Sequence, residues 1–294
     1  MPASKVSQVP SQQHRLSQQK ASPTRSSPWQ ILIRLALLLC IVSAISKVSL
    51  PPSDLTQWLG VSSPNVLILT AHPDDECMFF APVILALAAQ GIPVRALSLS
   101  TGNSSGLGDI RRTELFKSYS VLGVEPQLVQ SLETEQLQDG MDRYWEPVHI
   151  AEALRQYPNI SNINTIITFD ANGITQHPNH IPLAAGVRAL SQSSHPIRLV
   201  LLETVPKHIK FTGPLYPLGL KTIHLLSQIP FSAGNWNVGM GKGSTLTITS
   251  TVEGYKLALE AMMRHKSQLV WFRWLYVGAS KYMWSNTLVL AESV

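Results

Sequence analysis

The sequence predicts an α/β fold in which helices cover both faces of a mostly parallel sheet. Short, continuous apolar runs, typical of strands buried on both faces, alternate with segments of helical pattern. Two of these helical segments are followed by Gly91 and Gly123, a common way for a helix to end. Hydrophobic residues make up 45% of the 294 residues, enough for a full core. The alternation favours a Rossmann-like sheet.

Taken in chain order, the apolar runs predict strands at residues 66–70, 94–100, 127–130, 165–169, 198–205 and 245–250. The intervening segments predict helices at residues 76–90, 109–122, 147–157, 178–190 and 218–228, and a long carboxy-terminal helix from about residue 251. Ligands of such sheets bind beyond the carboxyl ends of the strands, so functional residues are expected there.

The amino-terminal part differs in composition from the rest. Residues 1–28 are rich in Ser, Gln and Pro and predict a disordered tail. Residues 29–50 predict a transmembrane anchor, because their apolar core spans roughly 30 Å as a helix, about the thickness of a bilayer's hydrocarbon region. Pro51 and Pro52 open a predicted linker, residues 51–63, and the folded domain is expected at 64–294.

Two alternatives to the anchor stay open. Residues 42–46 resemble the cleavage region of a signal peptide, although the charged stretch before the apolar core is long for a signal. A short apolar run is also compatible with a buried helix.

The charge is unevenly distributed. Residues 1–53 contain six basic residues and no acidic one, while residues 54–294 contain 17 basic and 18 acidic residues. The predicted domain is therefore nearly neutral, which argues against nucleic-acid binding. Two cysteines exclude a disulfide framework and a cysteine-based zinc site.

Polar side chains follow two of the predicted buried strands. His72 and Asp75 come after the first strand, and His177 and His180 come after the strand at 165–169. If each segment enters a helix, residues i and i+3 share a face. Two imidazoles and one carboxylate form a familiar open zinc site that leaves a position for water, and Asp74 is placed to act as a base toward that water.

A structural interpretation competes with the metal site. Asp74 and Asp75 are also typical helix N-caps, Pro73 and Pro178 suit a first helical turn, and the histidines are then surface residues. The repetition of the pair after two buried strands favours the metal site.

The motifs AHPDDE (71–76) and HPNH (177–180) resemble those of the PIG-L/LmbE family of zinc-dependent N-acetylglucosamine deacetylases. The resemblance covers roughly residues 64–290, and the block HKSQLVWFRWLY (265–276) favours the eukaryotic branch. The resemblance implies an LmbE-like fold. It also implies an enzyme that removes the N-acetyl group of N-acetylglucosaminylphosphatidylinositol, the second step of glycosylphosphatidylinositol (GPI) anchor synthesis. It also implies Zn²⁺ or another divalent metal, a glycolipid substrate, and a single-pass protein of the endoplasmic reticulum membrane.

Carried over residue by residue, the resemblance implies that His72, Asp75 and His180 hold the metal. It makes Asp74 the general base and His177 an acid or oxyanion stabiliser.

A second set of residues is weighed by the same resemblance. Arg112 follows the Gly/Ser loop 101–108, and the resemblance favours it for binding the sugar or its phosphate; a solvated helix face is the alternative. Thr175 stands where some relatives have a tyrosine that binds the oxyanion, and Asn179 where some have aspartate, so neither residue is assigned a role. Asp170 is expected either to orient a ligand histidine or to form an Asx turn.

Topology is predicted differently by charge and by resemblance. The basic tail before the anchor favours a luminal domain, whereas the family's catalytic domain faces the cytosol, and we expect the cytosolic arrangement. Residues 264–284 mix basic and aromatic residues, which suits either a membrane interface or a core helix with a basic outer side. Two other functions stay open: deacetylation of a soluble N-acetylglucosamine conjugate, and a membrane scaffold without activity.

Overall fold

The computed structural model describes residues 27–48, 50, 54–191, 197–228 and 244–291. Almost all of the predicted tail, residues 1–28, lies outside the described residues. The chain divides into two units, Met1–Ala44 and Ile45–Val294, which are described separately.

In the first unit, the described residues form most of one exposed helix. Helix α1 (Pro28–Ser46) has 19 residues and no buried ones. It is long and apolar enough to cross a membrane.

The second unit is built on one seven-stranded sheet. The strands are β1 (Val66–Thr70), β2 (Val94–Ser98), β3 (Val129–Ser131), β4 (Thr165–Phe169), β5 (Arg198–Leu202), β6 (Thr245–Thr249) and β7 (Ser285–Leu290). Their order is β3-β2-β1-β4-β5-β7-β6. The first five are parallel, and β7 pairs antiparallel with both β5 and β6. The mostly parallel sheet is therefore confirmed.

Helices flank this sheet, as predicted. They are α2 (Leu55–Leu59), α3 (Ala81–Ala89), α4 (Gly108–Val121), α5 (Pro147–Arg155), α6 (Gly173–Gln176), α7 (Leu183–Ser191), α8 (Lys207–Lys210), α9 (Leu215–Ser227), α10 (Val252–Arg264) and α11 (Trp271–Ala279). All five residues of β1 and all five of β4 are buried, because helices exclude water from both faces.

Part of the predicted linker is folded. Helix α2 lies within residues 51–63, and its Leu55 and Leu59 are buried in the core. Asp54 caps the helix by accepting a hydrogen bond from the backbone N–H of Gln57 at 2.9 Å.

The predicted long carboxy-terminal helix is wrong. The chain forms α10, then α11, and then the strand β7. The buried Gln268 lies between the two helices and donates a hydrogen bond to the carbonyl of Pro73 at 2.7 Å, so the chain turns there. Strand β7 is stabilised by two neighbouring strands, which a local helical pattern does not reveal.

Two of the predicted helices begin differently from what the sequence predicts. The first starts with one π-helical turn, Glu76–Phe80, and continues as α3. Helix α7 begins at Leu183 rather than at residue 178, because turns occupy the preceding residues. The two pairs of polar residues, His72 with Asp75 and His177 with His180, therefore lie on turns at strand ends. Within each pair a backbone hydrogen bond closes the turn, from Asp75 N to His72 O and from His180 N to His177 O.

Candidate active site

The two sequence motifs lie side by side. Strands β1 and β4 are parallel neighbours, so their carboxyl ends meet at one edge of the sheet. Residues 71–76 leave β1 at this edge, and residues 170–180 leave β4 beside them. The topology therefore brings together side chains that are about a hundred residues apart in sequence.

Three predicted ligands converge on one point. His180 Nε2 lies 3.2 Å from His72 Nδ1 and 3.3 Å from Asp75 Oδ1. His72 Nδ1 lies 3.8 Å from Asp75 Oδ2. All three residues are buried. Two imidazole nitrogens and a carboxylate facing one another form a donor set that suits a divalent cation such as zinc.

Hydrogen bonds on the far side of each ring orient these donors. His72 Nε2 lies 3.2 Å from Asp139 Oδ1 and 3.0 Å from Asn179 Oδ1, both of which are acceptors. His180 Nδ1 lies 3.1 Å from the carbonyl of Gly173, and its ring stacks on Phe169. In the tautomers that donate these outward hydrogen bonds, the lone pairs of His72 Nδ1 and His180 Nε2 point at each other, as in metal sites.

The electrostatics also favour a cation. Burial by itself would raise the pKa of Asp75, but His180 and His72 outweigh it and hold this pKa at about 2. Burial would lower the pKa of His72, yet its hydrogen bond to Asp139 and the charges of Asp75 and Asp139 raise it. The carboxylates that attract a proton to His72 also attract a metal ion in its place.

Asp74 is held in an uncommon backbone conformation. Its φ is 107°, in the region that favours glycine, and its N–H donates a hydrogen bond to Glu76 Oε2 at 3.0 Å. Arg273 Nη2 donates to Asp74 Oδ2 at 2.6 Å. Burial raises the pKa of Asp74, a shift that Arg273 opposes and Asp75 reinforces. These contacts fix both the backbone and the carboxylate of the predicted base.

A buried hydrogen-bond network supports this loop from behind. Glu76 Oε1 lies 2.6 Å from His265 Nε2 and accepts a hydrogen bond from Ser118 Oγ at 2.5 Å. Gln268 lies 3.0 Å from His265 Nδ1 through its Oε1 and donates to the carbonyl of Pro73 through its amide. Glu76, Cys77 and His265 are close enough to hold a metal as well, but these hydrogen bonds already use the Glu76 and His265 atoms.

His177 lies beside the three donors and is half-buried. Its ring centroid is 4.7 Å from that of His72 and 4.9 Å from that of His180. Burial, together with these two rings, lowers its pKa to about 4, so it is neutral near pH 7. Its Nδ1 accepts the backbone N–H of Asn179 at 3.2 Å. The proton of the neutral ring therefore sits on Nε2.

The loop after β4 depends on Asp170. Its carboxylate accepts hydrogen bonds from the backbone N–H groups of Asn172, Gly173 and Thr204, at 3.0, 3.1 and 2.8 Å. The Asx turn weighed for this residue is therefore present. Gly173 has φ of 57°, and a Cβ there would lie 2.7 Å from His180 Cβ, so glycine is needed at this position. Asp170 thus reaches His180 through Gly173.

Comparison with known proteins shows which family the chain belongs to. The family model described as "PIG-L: GlcNAc-PI de-N-acetylase" matches residues 67–191. The chain is 34% identical to a probable N-acetylglucosaminyl-phosphatidylinositol de-N-acetylase of Schizosaccharomyces pombe, over 84% of this chain and 95% of that protein. It is 35% identical to the N-acetylglucosaminyl-phosphatidylinositol de-N-acetylase of Bos taurus, over 76% of this chain and 82% of that protein. The chain belongs to the PIG-L family.

The fold of this PIG-L chain is also found in solved structures. The crystal structure of the zinc-inhibited form of a teicoplanin deacetylase aligns with a TM-score of 0.51 and 12% identity, covering 78% of this chain and 98% of that one. At this identity the likeness concerns the fold alone.

The structure separates the two arginines that follow the loop 101–108. Arg112 Nη1 lies 3.9 Å from Asp109 Oδ1, and its side chain is 39% exposed. Arg111 donates to the carbonyl of Gly102 at 2.6 Å and lies 3.8 Å from Asp139, the partner of His72. Arg111 therefore lies next to His72 through Asp139, and the role of Arg112 in binding the substrate stays a prediction.

Several residues of the candidate site were missed by sequence analysis. Asp139 lies in a segment with no regular pattern, so nothing local marks it. Asn179, left without a role, bridges His72 and the backbone N–H of Gly140, at 3.0 and 3.2 Å. Arg273 was part of the block 265–276 that carries the resemblance and of the basic and aromatic stretch 264–284, but it was given no role. The HPNH motif itself was the one signal that could have suggested Asn179.

Proposed function

We propose that this chain hydrolyses the N-acetyl group of N-acetylglucosaminylphosphatidylinositol, giving acetate and glucosaminylphosphatidylinositol, in GPI-anchor synthesis. The observation that carries the proposal is the convergence of His72 Nδ1, Asp75 and His180 Nε2 within 3.2–3.8 Å, in a chain of the PIG-L family. The names of its relatives support the choice of substrate.

In this proposal His72, Asp75 and His180 hold a divalent metal, for which zinc is the best fit to two imidazoles and a carboxylate. Such an ion would act as a Lewis acid toward the acetamide carbonyl and toward water. The outward hydrogen bonds of the two histidines keep their rings in the tautomers that this role requires.

Asp74 is the general base. It accepts a proton from the water whose oxygen bonds to the acetyl carbon, and the proton is passed on to the amine when the carbon–nitrogen bond breaks. The contact from Arg273 orients its carboxylate and keeps the charged form available. The backbone bond to Glu76 holds Asp74 at its unusual φ, so the carboxylate is positioned before substrate binds.

His177 serves as a hydrogen-bond donor. Because its Nδ1 accepts from Asn179, its proton is on Nε2, from which it can donate to the oxygen that gains negative charge as water adds to the carbonyl. A neutral donor suits this task, and it does not repel a metal ion in the same site.

Arginine binds the phosphate of the substrate. Guanidinium groups suit phosphate oxygens, and both candidates lie on the first turn and a half of α4. Arg112 remains the residue expected from the sequence, while the position of Arg111 beside Asp139 favours a direct role for it.

Membrane attachment completes the proposal. Helix α1 is suited by length and composition to be a single membrane anchor. We place the protein in the endoplasmic reticulum membrane with its domain in the cytosol.

The test is an assay on isolated membranes. Membranes that contain the protein are supplied with N-acetylglucosaminylphosphatidylinositol, and the free amine is measured with and without a metal chelator. We expect the amine to form, to disappear with chelator and to return with added zinc, whereas membranes with Asp74→Asn serve as the matched control. Absence of deacetylation in membranes that hold folded protein would refute the proposal.

A further inference from the structure

Helix α11 exposes an apolar face to solvent. Trp271, Phe272, Trp274 and Leu275 are 76, 51, 50 and 64% exposed. Four large apolar side chains next to one another on a nine-residue helix are unusual for a surface that faces only water. We call these four residues the α11 patch.

A neighbouring loop enlarges the apolar surface. Phe211 and Leu215 are 53 and 67% exposed. They flank Gly213, where a Cβ would lie 3.0 Å from the carbonyl oxygen of Gly278 on α11. Phe211 and Leu215 therefore lie near the carboxyl end of the helix that carries the α11 patch.

The chain segments that carry the α11 patch and the neighbouring Phe211 and Leu215 are basic. Residues 204–252 and 261–291 contain no acidic residue. Lys207 and Lys266 are exposed, and neither forms an ion pair within the described part of the chain. Lys210 Nζ lies 5.7 Å from the centre of the Phe211 ring. An apolar surface with tryptophans and unpaired lysines is complementary to the headgroup region of a bilayer that contains anionic lipid.

The opposite face of α11 contacts the candidate site. Arg273 donates to Asp74 Oδ2 at 2.6 Å, and the hydroxyl of Tyr276 donates to the carbonyl of Met78 at 3.0 Å. The helix therefore has one face against the residues of the first motif and the other face in solvent.

We propose that the α11 patch docks on an anionic lipid surface and thereby holds the active site at the level of the headgroups, where a glycolipid presents its sugar. The surface is argued from exposure and charge alone, whereas the link to catalysis rests on the proposed function. Contacts through Arg273 and Tyr276 fix the distance between the membrane and the site, independently of the anchor α1.

The first test measures membrane contact without activity. A fluorophore is attached to Trp274→Cys in full-length protein whose Cys40 is replaced by Ser, reconstituted in vesicles of phosphatidylcholine and phosphatidylserine. Val148→Cys, 51% exposed on α5, provides the control position. Nitroxide-labelled lipid should quench the probe at 274 and not the one at 148.

Equal quenching at both positions would overturn the proposal. So would a probe at 274 that is shielded from aqueous iodide but not quenched by nitroxide lipid, because a protein partner would then cover the patch.

The second test measures the effect of the α11 patch on turnover. The double variant Trp274→Ser/Leu275→Ser should lose about tenfold of its rate on N-acetylglucosaminylphosphatidylinositol in vesicles, because two apolar anchors are removed. Its rate on the water-soluble headgroup without acyl chains should be unchanged. The matched control Val148→Ser/Val252→Ser, which replaces exposed apolar residues on other helices, should keep both rates.

An equal loss on both substrates, or no loss on either, would overturn the link to catalysis. If the wild-type protein converts neither substrate, the proposed function fails, while the quenching result still decides whether the α11 patch meets lipid.

Discussion

Nδ1 of His72 and Nε2 of His180 face each other at 3.2 Å although 108 residues separate them in sequence. Each ring has its other nitrogen bound to an acceptor, so when both rings are neutral two lone pairs meet without a proton between them. Such an arrangement is unfavourable unless a cation or a proton occupies the space. The site is therefore built around a positive charge.

Removal of any one of the three converging donors should lower metal content and activity together. His72→Ala, Asp75→Ala and His180→Ala are the variants, and zinc per protein and deacetylation rate are the measurements. His149→Ala is the control, because His149 is only partly buried, with its side chain 36% exposed, and pairs only with Glu152 among the described residues. Full activity in any of the three ligand variants would contradict the assignment.

Asp74 and Asp75 should differ in how metal rescues them. Asp74→Asn keeps the size of the side chain and removes the proton acceptor, so turnover should fall by roughly 10²–10⁴-fold while zinc remains bound. Asp75→Asn should weaken zinc binding, because an amide is a poorer ligand, and excess zinc should restore part of its rate. In both variants, zinc content and initial rate are measured while zinc is added in increasing amounts. Recovery of Asp74→Asn with zinc would exchange the two roles.

How far the sequence predicts this structure depends on whether the information is local. Strands β1 and β4 are continuous apolar runs, and the polar residues that follow them are visible in the motifs, so the fold class and the three converging donors could be predicted. Strand β7 could not, because its stability comes from pairing with β5 and β6. Arg273 reaches Asp74 across 199 residues, a contact that no local spacing reveals.

The buried pair of Glu76 and His265 should contribute strongly to stability. Both side chains are fully buried, so Glu76→Gln or His265→Gln leaves an unpaired polar or charged group and should cost about 3–5 kcal/mol of unfolding free energy. The double variant should cost less than the sum of the two, as measured by denaturant unfolding in detergent.

The exposed pair of Arg264 and Glu260 provides the control for this measurement. Its atoms are at a similar distance, 2.5 Å, but the side chains are about half exposed, so Glu260→Gln should cost only about 0.3–0.5 kcal/mol. Equal costs at the two pairs would show that burial of Glu76 and His265 adds nothing.

Lys281 should make stability depend on alkaline pH. Burial lowers its pKa to about 8, partly offset by Glu203, from 10.5 in the unfolded chain. Between these values the unfolded chain holds a proton that the folded chain has lost, so unfolding free energy should rise with pH by up to about 1.4 kcal/mol per unit. Relative to Lys281→Met, the wild type should gain stability from pH 8 to 10.5. If the difference in unfolding free energy between the wild type and Lys281→Met stayed constant over this pH range, the lowered pKa of Lys281 would be contradicted.

The two N-x-S sequons should remain without glycans. Asn103 and Asn159 are both exposed, so a luminal domain would present them to the glycosylation machinery. A cytosolic domain never meets it, and the mass of the protein should not change on treatment with a glycan-cleaving enzyme. A shift that Asn103→Gln or Asn159→Gln abolishes would place the domain in the lumen.

The position of β7 between β5 and β6 has a consequence for synthesis on the ribosome. His265 and Arg273 emerge almost 200 residues after the motif that they contact, at 189 and 199 residues from their partners. At usual elongation rates the nascent chain spends roughly ten to forty seconds with Glu76 and Asp74 unpaired. The edge of β5 stays uncovered for roughly four to seventeen seconds, the time needed to synthesise the residues between β5 and β7. During that interval the growing chain exposes an edge to which other chains can add, so protection by chaperones matters most between synthesis of β5 and of β7.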